Sequence, residues 1–176
     1  MGSKGGAPQP TYIENPSTAY INTGLYWSNV SRVVVTFSHH TSGFITGRNS
    51  SSGSNSMLIF NNIIQWVNRP SGFTIDNGNK HIVDLQSGTC IVDGNTYTFT
   101  GGTLDSRLIY ICADQLLDSR RSKCRIYAFD LFDGNGDYLF KGRPAYQNNK
   151  YGLYDSVTDT FFSSASNVEF TGDLNI

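Results

Sequence analysis

Charge is scarce in this chain. Asp, Glu, Lys and Arg make up 15% of its 176 residues, against ~25% in an average globular protein. Thirteen basic residues stand against fourteen acidic ones, a net charge of -1 with a pI near 6.2. A phosphate-binding domain would show a basic stripe and a pI above ~9, so no nucleic-acid partner is expected. Glutamate is rarest, with only Glu14 and Glu169, near opposite ends of the chain. A glycosidase on a sandwich scaffold needs two carboxylates converging across a cleft, ~5–5.5 Å apart when retaining. No strand-like segment here carries alternating Glu and Asp on one face, and Gly-x-Ser-x-Gly and Cys/His nucleophile arrangements are missing too. The sequence points away from an enzyme, with no catalytic residue, cofactor or metal expected.

Long apolar runs are also missing. Nothing approaches the ~18 apolar residues of a membrane span, so no membrane insertion is expected. The N-terminus reads Met1-Gly2-Ser3-Lys4-Gly5-Gly6-Ala7-Pro8-Gln9-Pro10. It lacks the apolar h-region of a signal peptide, and Gly6 stands where myristoylation needs Ser or Thr. Residues 1–10 therefore read as a flexible or extended Gly/Pro arm, and residues 11–176 as one domain, the size expected of this length. The arm is expected to tether the domain to a neighbouring subunit; a remnant added during cloning is the bland reading.

Cysteine is limited to Cys90, Cys112 and Cys124, an odd number at no metal-ligand spacing. Two lie in the apolar runs Thr89-Cys90-Ile91-Val92 and Tyr110-Ile111-Cys112-Ala113. Buried free thiols are the expectation, as in a chain assembled in a reducing cytosol.

Aromatic residues are plentiful at 13%, beside eighteen glycines. Large rings with many Gly, Ser, Thr and Asn suit short strands joined by tight turns. Period-two alternation recurs along the chain, whereas no 3.6-residue stripe lasts three turns. It predicts strands over Arg32–Ser38, Met57–Phe60, Ile63–Val67, His81–Leu85, Thr89–Val92, Thr96–Thr100, Leu108–Ala113, Arg125–Phe132 and Tyr138–Lys141. Between them lie turn formers such as Asn77-Gly78-Asn79, Gln86-Ser87-Gly88, Asp93-Gly94-Asn95 and Asp133-Gly134-Asn135-Gly136-Asp137. Asp-Gly and Asn-Gly supply the positive φ angles of short hairpins. The fold class is all-β: a two-sheet antiparallel sandwich of the jelly-roll kind. The charge cluster over residues 118–123 and the serine run over residues 50–54 read as loops.

Several motifs compete with plainer readings. Asp133–Asp137 begins like a calcium loop, but Tyr138 and Pro144 stand where Gly and a bidentate Glu belong, so a hairpin turn is preferred. His39 and His40 are adjacent on a strand, point to opposite faces, and cannot readily share one ion. Arg48 ends a strand in Ile45-Thr46-Gly47-Arg48-Asn49 and is read as an internal ion-pair partner. Glycan binding without charge needs a ring to stack on sugar, with amides and hydroxyls around it. Tyr26, Trp27 and Asn29 supply these in one segment, and Trp66, Asn68 and Arg69 in a second. The competing reading packs them inside the sandwich or against a neighbouring protein.

Three segments together resemble a known family. Tyr12-Ile13-Glu14-Asn15-Pro16-Ser17-Thr18-Ala19-Tyr20-Ile21-Asn22-Thr23-Gly24 resembles the opening "YIESTGTQYIDTG" of concanavalin A-like, laminin-G-like jelly-roll domains. Ile126-Tyr127-Ala128-Phe129-Asp130-Leu131-Phe132-Asp133 is similar to their penultimate strand, "IYSFKIYD". Gly152-Leu153-Tyr154-Asp155-Ser156-Val157-Thr158-Asp159-Thr160-Phe161-Phe162 resembles their closing "GLYDKVNGKFY". Where their "RDFIPC" stands, this chain has Phe140-Lys141-Gly142-Arg143-Pro144-Ala145, so any role of the acidic residue and the cysteine does not transfer.

The resemblance implies a jelly roll whose first and last strands pair, with Tyr12, Ile13 and Tyr20 meeting Leu153, Tyr154, Phe161 and Phe170. Such domains occur in tailed-bacteriophage virions (fibre, tail-tip or head-decoration modules) and in bacterial surface proteins. It implies a virion structural protein made in the bacterial cytoplasm. Its arm would bind other virion proteins, its jelly roll would have glycan-binding potential towards the host cell surface, and it would be oligomeric on the particle. The alternative is a free-standing bacterial or secreted carbohydrate-binding module.

Overall fold

A computed structural model describes residues 9–41, 43–47, 57–60, 63–113 and 123–174. Fifteen strands lie among them: β1 (Ile13–Asn15), β2 (Ile21–Tyr26), β3 (Arg32–His39), β4 (Phe44–Gly47), β5 (Met57–Phe60), β6 (Ile63–Trp66), β7 (His81–Gln86), β8 (Thr89–Val92), β9 (Asn95–Thr98), β10 (Leu108–Ile111), β11 (Cys124–Phe132), β12 (Tyr138–Gln147), β13 (Lys150–Asp155), β14 (Thr160–Ser163) and β15 (Thr171–Gly172). One 3₁₀ turn, Trp27–Asn29, follows β2. The predicted arm residues Gln9 and Pro10 rest on the sandwich: Pro10 is buried, and the Gln9 side chain accepts the Tyr146 N–H at 3.2 Å. The rest of the arm, the serine run, Arg48 and residues 118–122 of the charge cluster lie outside the described residues.

Ten strands form one antiparallel sheet, in the order β14-β13-β12-β11-β3-β7-β8-β9, with β1 also paired to β11 and β15 paired to β1. The other sheet runs β2-β10-β4-β5-β6. The two pack as a jelly-roll-like sandwich. Alternation decides which faces meet: Val33, Val35 and Phe37 of β3 are fully buried, while Arg32, Val34 and Thr36 face outward. Ile21, Ile59, Ile64, Leu85, Phe129 and Leu131 join them in one core. The first and last strands do pair, Ile13 opposite Gly172 and Glu14 opposite Thr171. Ile13, Leu153 and Phe170 are buried there, but Phe161 is only half-buried, opposite Tyr154 on the outer face.

Turn chemistry sets the hairpins. Asp93 and Gly94 adopt φ of 50° and 85°, closing β8 on β9 with Val92 opposite Asn95. Asn148 and Asn149 do the same between β12 and β13. Asp133 Oδ1 accepts the N–H groups of Asn135 and Asp137, so this carboxylate is used inside the β11–β12 turn.

Three predicted strands end two or more residues from their expected limits, β9 stopping at Thr98. β10 stops at Ile111 because Cys112 turns into the left-handed region, φ 64°. β12 runs on to Gln147, through Pro144. Its pairing with β11 ends at Gly142, so Pro144 lies where only β13 pairs with the strand and a missing N–H is tolerated.

Candidate functional site

β2 and β10 lie side by side in the five-stranded sheet, with Tyr26 opposite Leu108 and Asn22 opposite Tyr110. Alternation sends Thr23 and Ile109 inward and leaves Tyr26, Leu108 and Tyr110 on the outer face. Together with Ser106 and Arg107 they line an open cleft of about 480 Å³. Tyr26 is 45% exposed. Tyr110 is braced by an edge-on contact with Tyr20 at 5.8 Å, and burial, then Tyr20, pushes its phenol above the usual range. Arg107 Nε lies 3.3 Å from Asp105, holding a cation at the rim.

The 3₁₀ turn fixes this cleft from the side. Trp27 donates its backbone N–H to the Arg107 carbonyl at 2.9 Å, and its own carbonyl accepts from Val30 at 3.0 Å. The Ser106 hydroxyl donates to Ser28 at 3.0 Å, tying the turn to the segment before β10. Asn29 is exposed at the end of the turn.

Trp27 corrects the sequence expectation. It is 1% exposed, with its indole in the core and its Nε1 without a partner among the described residues. A ring in that position offers sugar no face. Tyr26 is still extended, φ -117° and ψ 140°, so strand alternation sends the next side chain to the opposite, inner face.

The second predicted surface is also rearranged. Trp66 is 3% exposed and donates its indole N–H to the Gly102 carbonyl at 2.9 Å. Asn68 is exposed but donates to the Thr100 carbonyl at 2.9 Å, and Arg69 donates to the Gln65 amide at 2.9 Å. Val67 between them takes φ of 62°, rare for a β-branched residue. Gly102 fits because a Cβ there would come within 2.8 Å of the Val67 side chain. Trp66 and Asn68 thus clasp the segment over residues 100–102, while Arg69 holds Gln65. β6 and β2 are opposite edges of their sheet, so the two predicted surfaces do not converge.

Sequence reasoning missed a cleft on the ten-stranded sheet. Gln9, Pro10, Arg143, Pro144, Ala145, Gln147 and Tyr154 line about 550 Å³. Arg143 is committed to Asp130, bonded through both terminal nitrogens, which holds the guanidinium above its ordinary pKa. The Tyr154 hydroxyl bonds Asp159, which raises its phenol. The only sequence signal was the Arg-Pro-Ala phrase, and nothing in it announces a cavity.

Several carboxylates and two of the histidines are engaged in structural contacts. Glu14 holds Arg125 at 2.6 Å, Glu169 holds Lys150 at 2.9 Å, and Asp84 holds Arg32 at 2.6 Å. His39 is buried with Nε2 3.4 Å from the Ile75 carbonyl, and burial lowers its pKa. His81 lies between Asp93, at 2.7 Å, and Asp76, at 3.0 Å. No three potential ligands gather for a metal among the described residues.

Comparison of the chain with family models, with curated proteins and with solved structures found no match to any of the three.

Proposed function

We propose that this protein is a bacteriophage virion structural module whose sandwich displays a shallow glycan-binding cleft around Tyr26. One observation carries the binding part. The exposed Tyr26 ring stands beside Leu108 and Tyr110 in an open cleft rimmed by Ser106 and Arg107. Rings stack on the apolar faces of sugars, and hydroxyl and guanidinium groups satisfy sugar hydroxyls. The reading is one of binding rather than catalysis, because the acidic side chains described above serve ion pairs and turns. The virion part rests on the three jelly-roll phrases and on the Gly/Pro arm, which we assign to contacts with other virion proteins.

Two measurements test it. A glycan array probed with multivalent wild-type protein should give signal that falls at least tenfold in Tyr26→Ala while the fold persists. No signal on any glycan, or equal signal from the variant, overturns the glycan reading. Mass spectrometry of purified particles should find the chain at fixed stoichiometry with other virion proteins. Glycan binding by a protein absent from particles overturns the virion reading and leaves a free-standing carbohydrate-binding module.

A further inference from the structure

Cys112 and Cys124 come from different sheets. Cys112 follows β10 of the five-stranded sheet, and Cys124 opens β11 of the ten-stranded sheet. Their sulfurs are nevertheless 3.2 Å apart, one thiol donating to the other. Both residues are fully buried, and both are free thiols.

The backbone holds this meeting in place. Cys112 takes φ of 64°, an uncommon conformation for a residue with a Cβ, and its N–H donates to the Ile45 carbonyl at 2.7 Å. On the other side Cys124 pairs with both Asn15 of β1 and His39 of β3. A conformation of this kind persists only when its surroundings over-determine it. Cys90 makes a useful contrast: it is equally buried, but it sits in β8, between β7 and β9, with no other cysteine against it among the described residues.

We propose that Cys112 and Cys124 form a redox-operated staple between the two sheets, open as thiols where the chain folds and closed as a disulfide under oxidising conditions. A disulfide needs sulfurs about 2.05 Å apart, so closure asks for a shift of roughly one ångström, within reach of side-chain rotation. The oxidant is hydrogen peroxide. One thiol loses its proton, and its sulfur attacks a peroxide oxygen; the O–O bond breaks, leaving a sulfenic acid and hydroxide, which takes up the proton to become water. The second thiol then attacks the sulfenic sulfur. The S–S bond forms, the S–O bond breaks, and the departing oxygen leaves as water with the second proton. Two thiols are oxidised by two electrons, and one peroxide is reduced to two waters.

Burial, then the hydrogen bond from its partner, pushes the Cys112 thiol well above its usual range and keeps it protonated at neutral pH. The staple is therefore expected to close slowly, through local opening at the sheet ends, and not to flicker with ambient redox state. It would join residues that β10 and β11 already hold together, bracing the end of the sandwich against separation of its layers. The inference is independent of the glycan reading and survives its failure.

Folded wild-type protein, treated with hydrogen peroxide and alkylated after unfolding, is the material for the test. Trypsin cuts between the two cysteines, after Arg120, Arg121 and Lys123. The proposal expects a linked peptide pair containing Cys112 and Cys124, with Cys90 alkylated. It also expects a urea midpoint that rises on oxidation and returns with a reductant. The rise should be absent in Cys124→Ala and retained in Cys90→Ala. Three alkylated cysteines after oxidation, or oxygen added to single cysteines without a cross-link, overturn it. A cross-link through Cys90 overturns it as well. Should Cys124→Ala fail to fold, the peptide map of the wild type decides alone.

Discussion

Tyr26 and Trp27 are neighbours in the chain and face opposite ways. Tyr26 is 45% exposed at the mouth of a cleft, while Trp27 is 1% exposed in the core. The strand ends on the first residue and the 3₁₀ turn begins on the second. The two substitutions should therefore separate binding from stability. Trp27→Ala is expected to cost ~3–5 kcal/mol, the range for deleting a large buried ring. Tyr26→Ala should stay within ~1 kcal/mol of wild type, because nearly half of its surface remains in water in the folded state. Urea denaturation of both variants checks this; equal losses would mean that Tyr26 is a packing residue.

The meeting of the chain ends makes a second contrast. Phe170 is 2% exposed and bridges to Tyr151, whereas Phe161 is half-buried on the outer face. Phe170→Ala should cost ~3–5 kcal/mol. Phe161→Ala should cost less, about 1–2 kcal/mol, since less of its surface leaves water on folding. The same denaturation measurement decides, and a larger loss at Phe161 would contradict the packing described here.

Gly152 opens the closing phrase Gly-Leu-Tyr-Asp for a steric reason. A Cβ there would lie 2.1 Å from the Phe162 carbonyl oxygen and 2.8 Å from the Phe161 ring. Those neighbours belong to β14, the strand paired with β13, so the backbone itself must give way. Gly152→Ala is expected to destabilise by roughly 1–3 kcal/mol, as overpacking does. The melting temperature reads it; an unchanged value would show that β14 yields freely.

Alkaline pH should weaken the fold through Cys90. Burial, with a smaller push from Asp84, raises its thiol to about 12. In the unfolded chain a thiol ionises near ~8.5. Above that value the unfolded state sheds its proton while the folded state keeps it. Stability from this group is complete below about pH 8.5 and declines as pH rises towards 12. Urea midpoints across this window should fall more steeply in wild type than in Cys90→Ala. Parallel declines would assign the loss to other groups.

Local chemistry made much of the sandwich legible. Alternation in Arg32–His39 and Cys124–Phe132 marks strands whatever they pack against, and Asp93-Gly94 turns the chain by its own φ preferences. Part of the candidate site was legible too: of the segment offered as a glycan contact, Tyr26 lines the cleft and Asn29 is exposed beside it. The short strands β1, β14 and β15 have too few residues to show a period, and the family phrases alone suggested that the ends meet.

Residue types and their spacing were enough to make this an all-β chain of hairpins with a net charge near zero, because strand period and turn geometry act over a few neighbours. Which ring faces water depended on a second layer that lies far away in sequence. Trp27 is buried because the Arg107 carbonyl, just before β10, receives its backbone N–H and the core receives its indole. Trp66 is occupied by Gly102, thirty-six residues on. Cys112 and Cys124 touch because two sheets end at the same place. Burial and contact across layers are properties of pairs of segments, and only packing two sheets together could assign them.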